Sequence, residues 1–339
     1  PSRGLGDVYK RQTHEIVQNI IETNVLPKGA LSLICGSSKG LLDALKPLDM
    51  ISFTGSAKTG EIIRSHPAVA HSSVRVNIEA DSVNSAWLLE GISEQDPIFE
   101  IFIKEVHREM TVKSGQKCTA IRRIFVPEKL FDSVSQALSL RLKKTTVGNP
   151  ANQEVRIGSL VSKEQKETVI SGIHELSKYL DTLYDGNNQD FVDAEKNSCC
   201  VAPVLFGISR PEQAQEISCV HDLEVFGPVA TLIAYRDEYQ AQQLIAKGQG
   251  SLVISIYGEE LDSLQRAIMA VAPLHGRVHV ISSNATAQTG HGNVMPQSLH
   301  GGPGRAGGGE ELGGIRALNF YHRRVGIQGH PQLLNNIKV

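Results

Sequence analysis

From residue 13 onward, short apolar runs alternate with longer stretches of helical periodicity, and this alternation restricts the fold more than any other feature. Ile16, Ile20, Ile21 and Val25 mark one apolar helical face that stops at Pro27-Lys28-Gly29. Apolar runs at 30–35, 50–53 and 74–78 read as strands, with 41–45 and 57–65 as the helices between them. Further along, 121–126, 229–234, 252–257 and 277–281 are strand-like, while 97–111, 127–144, 163–180 and 259–272 are helix-like. Parallel strands need long crossover connections, so repeated strand–helix alternation predicts an α/β fold with parallel pairing. A chain of 339 residues has room for two domains, each with its own core.

Composition then removes several classes of function. A formal charge of −2 leaves no cationic excess to coat a nucleic acid. No apolar run approaches the ~20 residues that cross a bilayer. Five cysteines, an odd and small number, argue against a disulfide framework and for a reducing, cytoplasmic setting. No C-x-x-C pair and no H-E-x-x-H pair is present, so no metal site is expected. Residues 1–12 show neither period, resemble translated adapter read-through, and are set aside as a foreign leader. The chain closes at Val339 inside the start of a helix, which reads as a fragment of a longer protein.

Four motifs can carry chemistry. In Phe53-Thr54-Gly55-Ser56-Ala57-Lys58-Thr59-Gly60, Gly55 ends an apolar strand and Ser56 opens a helix, where N–H groups and the dipole favour a phosphate. The same residues also suit an ordinary strand-to-helix turn. Cys118, in Gly115-Gln116-Lys117-Cys118-Thr119, follows a polar, flexible approach unlike a core pattern, and Lys117 beside it could help hold a thiolate. A free cysteine is equally at home as a small buried apolar residue. Cys35 falls in a strand, Cys219 at a helix end, and Cys199-Cys200 before a strand, which makes them poorer nucleophiles. Glu79 ends the strand at 74–78, and strand ends of an open parallel sheet point to the crevice where ligands bind. Asp81 is the competing carboxylate and ranks lower because it can simply begin a turn. Glu224 and Phe226, in Leu223-Glu224-Val225-Phe226-Gly227-Pro228, offer an acceptor and an aromatic wall beside a tight turn.

In this order the motifs resemble the aldehyde dehydrogenase superfamily, over residues 13–330. A fifth stretch, the glycine-rich residues 301–314, is similar to that family's C-terminal signature and would line the substrate entrance. Asn77 to Asn84, Gly115 to Arg123 and His300 to Gly314 resemble the branch whose dehydrogenase is fused to a hydratase and acts in phenylacetate degradation, or its relative in benzoate degradation. In most of the family a glycine pair stands where Ala80 and Asp81 stand here. The resemblance implies a partial Rossmann-type cofactor domain at 13–80, an α/β catalytic domain at 81–317, and an oligomerisation strand with a tail at 318–339. It implies Cys118 as nucleophile, Glu79 as the base that activates water, and Gly55, Ser56, Gly60, Glu224 and Phe226 as contacts to NADP, or NAD. The substrate would be an aldehyde, free or joined to coenzyme A, and the protein a homo-oligomer with no nucleic-acid or membrane partner.

The family's second oxyanion donor and its ribose-contacting lysine belong to segments upstream of residue 13. The 339 residues alone are therefore expected to be inactive or unstable. Two other readings stand beside this one. A non-catalytic scaffold could keep the same fold, and a cysteine hydrolase would need a histidine at Cys118, for which the sequence offers no identifiable candidate.

Overall fold

The computed structural model describes residues 10–36, 38–195, 197–284 and 299–337. Its main body is a seven-stranded sheet. The strands are β3 (Ser85–Leu88), β4 (Arg123–Pro127), β5 (Asp181–Asp185), β6 (Val204–Ile208), β7 (Val229–Tyr235), β8 (Ser251–Tyr257) and β9 (His275–Ile281). Their order is β5-β6-β7-β4-β3-β8-β9, parallel throughout except for the antiparallel edge pair β5-β6. A separate two-stranded parallel sheet pairs β1 (Met50–Thr54) with β2 (Arg75–Glu79). The expected parallel α/β architecture is present.

Both faces of the large sheet are covered, as parallel sheets require. Trp87, Phe125, Phe206 and Ile233 point into one core, while their neighbours Ala86, Leu88, Ile124, Val126 and Leu232 point into the other. The second core is closed by the helix Pro97–Thr111. Pro97 at its first turn supplies a preset φ, and Ile98, Phe102, Ile103, Val106 and Met110 repeat at helical spacing and are buried.

Two strands escape the sequence reading, β3 and β5, and β6 is foreseen only as a strand of no stated bounds after Cys200. β3 and β6 are buried along their whole length, so they lack the alternation that marks a half-exposed strand. One expected strand is not there. Residues 30–35 have no regular secondary structure and are mostly exposed, with Cys35 exposed, and no strand pairs with them among the described residues. Residues 323–329 pair with no strand among the described residues of this chain, and Val325 is 82% exposed. The helix Lys10–Glu22 begins inside the stretch read as aperiodic, while residues 1–9 lie outside the described residues.

The glycine-rich segment ties the two sheets together. Ala80 N–H donates to Ala306 O at 2.9 Å, and Gly309 N–H donates to Ile78 O at 2.9 Å. The backbone passes so close to β2 that a Cβ on Gly307, whose φ is +100°, would lie 2.4 Å from Ile78 O. Gly307→Ala is therefore expected to lower stability by about 2–3 kcal/mol, read as a shift in the urea midpoint. An unchanged midpoint would mean that the close passage is not needed.

Candidate functional site

β2 and the turn after the helix Pro97–Thr111 bring their chemistry to one place. Glu79 is the last residue of β2 and is 2% exposed. After Thr111 the chain makes three consecutive left-handed residues, Lys113, Ser114 and Gly115, before reaching Cys118. Two of these are not glycine, so the backbone is strained and must be held. Ser114 Oγ donates to Gly158 O at 2.9 Å, and Gln116 Oε1 accepts from Val161 N–H at 3.0 Å. Asn84 Nδ2 donates to Cys118 O at 2.7 Å and to Ala120 O at 3.0 Å, which fixes the far side of the turn.

His300 completes the cluster. It is delivered by the segment that leads into the glycine-rich passage, and it is 1% exposed. Its Nε2 lies 3.4 Å from Cys118 Sγ and 3.0 Å from Glu79 Oε1. The ligating atoms of Glu79, Cys118 and His300 all lie within 4.8 Å of one another. Burial alone would lower the imidazole pKa, but hydrogen bonds from the ring to Cys118 and Glu79 outweigh it and raise His300 from 6.5 to about 10. The raised pKa favours the protonated ring at neutral pH, placed between a sulfur and a carboxylate.

The histidine beside Cys118, for which the sequence offered no identifiable candidate, is His300. His300 is 182 residues away in sequence, and only the glycine passage brings it back. Its one local signal was its position directly before that glycine run. The suggestion that Lys117 holds the sulfur is corrected. Its Nζ bonds both carboxylate oxygens of Glu109, at 3.0 and 2.8 Å, and Glu109 is fully buried. Burial raises the Glu109 pKa, and Lys117 opposes that rise. Lys117→Met should leave the carboxylate without its counter-charge and cost about 3–5 kcal/mol in a urea melt. The double variant with Glu109→Gln should recover most of the loss. Equal melts for wild type and Lys117→Met would dismiss the pair as a structural element.

The residues expected at the cofactor sit on two sides. Ser56 caps the helix Ala57–Ser65, its Oγ accepting from Thr59 N–H at 3.2 Å. The hydroxyl therefore serves its own helix, whose first-turn N–H groups have no intrahelical partner. Gly55 N–H is taken by Glu79 O at 3.1 Å. Gly60 lies inside the helix, where a Cβ would come within 3.0 Å of Ile78 Cγ2, so it sets how closely the helix packs on β2. Glu224 and Phe226 are buried in the turn before β7. Arg122 joins that turn to the nucleophile, donating to Gly227 O at 2.6 Å and to Gly115 O at 2.7 Å. Its guanidinium carbon also lies 5.7 Å from the Phe226 ring centroid. Asp81 is not part of the cluster formed by Glu79, Cys118 and His300.

Residues 11–325 match the aldehyde dehydrogenase family. The chain belongs to that family. A 3,4-dehydroadipyl-CoA semialdehyde dehydrogenase from Aromatoleum evansii is 44% identical over 292 residues, covering 85% of this chain and 56% of that protein. Protein MaoC from Klebsiella aerogenes is 38% identical over 183 residues, covering 53% of this chain and 52% of that protein. The chain thus spans about half the length of these curated relatives. A betaine aldehyde dehydrogenase from Staphylococcus aureus, solved in complex with NAD+, shares the fold with a TM-score of 0.77 at 23% identity, covering 91% of this chain and 58% of that one. No described helix is long and apolar enough to cross a membrane.

Proposed function

We propose that this chain carries the catalytic centre of a nicotinamide-dependent aldehyde dehydrogenase that oxidises an aldehyde to its carboxylic acid. The observation that carries the reading is the meeting of Cys118 and Glu79 on one nitrogen of His300. The His300 imidazolium stabilises a sulfur anion at Cys118, which attacks the aldehyde carbon to give a thiohemiacetal. When bound, the nicotinamide supplies the hydride acceptor. Cys118 would hold the thioester that this oxidation produces. Glu79 then takes a proton from water, and the resulting hydroxide releases the acid. Glu79 Oε2 suits that role, since it is buried and makes no hydrogen bond among the described residues.

The name of the 44% identical relative supports a coenzyme A-linked semialdehyde as substrate. The solved relative with NAD+ supports a nicotinamide cofactor, and the preference for NADP over NAD rests on the branch resemblance. Five free cysteines agree with a reducing cytoplasm, and the exposed run at 323–329 is read as a strand that pairs with a second copy.

A cysteine hydrolase is the competing reading, and one detail disfavours it. In a hydrolase triad the carboxylate holds the ring nitrogen opposite the nucleophile. Here sulfur and carboxylate share Nε2, and Nδ1 is buried without a partner among the described residues. Competitive labelling with iodoacetamide tests the proposal. Cys118 should react faster than the exposed Cys35 and be protected by succinic semialdehyde, as read by peptide mass spectrometry. Equal labelling of the two cysteines with no protection would support a scaffold instead.

A further inference from the structure

A cleft of about 480 Å³ lies beside the nucleophile turn, and no acidic residue lines it. Arg108 and Arg141 reach it from the last turns of the helices Pro97–Thr111 and Phe131–Lys143. Lys144 and Arg156 complete its cationic wall. The first two cations are partly engaged, Arg141 by Glu100 and Arg108 by Glu105 at 3.8 Å. Lys144 and Arg156 are exposed and have no carboxylate within 4.0 Å among the described residues. At one side His107 Nε2 and Thr145 Oγ1 are 2.7 Å apart. Burial, and then Arg141, hold the His107 pKa below 6.5, so this pair presents neutral hydrogen-bonding groups next to the charges. Thr111 and Val112 also line the cleft, and from Val112 the chain enters the left-handed turn that carries Cys118.

We infer that this cleft receives the phosphate groups of a coenzyme A-linked aldehyde, with Lys144 and Arg156 as the principal contacts and the pantetheine arm directed toward Cys118. The inference rests on the coenzyme A-linked substrate proposed above. Coenzyme A carries a 3′-phosphate and a diphosphate, and guanidinium and ammonium groups bind such oxygens through short, charge-assisted hydrogen bonds. Lys144 and Arg156, exposed and with no carboxylate beside them, keep their charge available to an anion next to the nucleophile turn, although Arg156 Nη1 also donates to Gln153 O at 3.2 Å. The family resemblance directs the phosphates of the nicotinamide dinucleotide to the first turn of the helix Ala57–Ser65 instead. The dinucleotide therefore does not account for this second cationic wall.

Isothermal titration of the 339-residue chain with desulfo-coenzyme A, which has no thiol to react with Cys118, tests the inference. Binding should weaken as salt rises, and pantetheine should give no heat. The Lys144→Glu and Arg156→Glu double variant should bind about tenfold more weakly or worse. Its thermal midpoint and Cys118 labelling rate should match wild type, which shows that the fold and the sulfur chemistry are intact. No binding, unchanged binding by the double variant, or equal binding of inorganic phosphate or NADP+ at this wall would overturn the inference. Failure of the aldehyde-oxidation reading would appear separately, as loss of succinic semialdehyde protection at Cys118.

Discussion

Glu79→Gln should form a Cys118 acyl-enzyme at close to the normal rate and then hydrolyse it about 10²–10⁴-fold more slowly. An activated ester such as 4-nitrophenyl acetate acylates a reactive thiol without a cofactor, so the test isolates the two residues from the redox step. Intact mass spectrometry should show one acetyl group persisting on the variant and clearing from the wild type. The reason is geometric. Glu79 Oε1 is held by His300 at 3.0 Å, and Oε2 is the oxygen left to accept a proton from water. Glutamine keeps the size of the side chain but cannot take that proton. Clearance at the same rate in both proteins would remove Glu79 from the deacylation step.

His300→Ala is expected to slow carboxamidomethylation of Cys118 at pH 7 by on the order of tenfold, because it removes the cation that stabilises the sulfur anion. The same variant should change how stability depends on pH. Folding raises His300 from 6.5 to about 10, so between those values the folded protein holds a proton that the unfolded chain has released. More protons bound in the native state means that stability falls as pH rises. The contribution is complete below pH 6.5 and lost as pH climbs through about 10. Urea midpoints of wild type and His300→Ala should therefore lie farthest apart in mildly acidic buffer and converge in alkaline buffer. A gap that widens with pH would contradict a protonated His300.

Much of this site was readable from the sequence because its parts are local. A glycine after an apolar strand, a carboxylate at a strand end and a cysteine after a polar turn each declare themselves within a few residues. Their order along the chain then limited the fold. His300 was not readable, since its meeting with Cys118 depends on the passage of residues 301–309 beside β2, a tertiary event with no local period. Lys117 misled for the opposite reason. Its neighbour in sequence is Cys118, but its partner in space is Glu109, one side of a helix away. The residues at 30–35 carry strand composition, yet a strand exists only when another lies beside it, and none does among the described residues.

The meeting of three side chains at one nitrogen is best tested by nitrogen-15 NMR of the histidine rings, with the His300 signals assigned by their loss in His300→Gln. The structure predicts an imidazolium at His300 that persists through pH 8, with its resonances moving both when Cys118 is alkylated and when Glu79 is changed to Gln. A His300 that titrates near 6.5 and ignores both changes would contradict it.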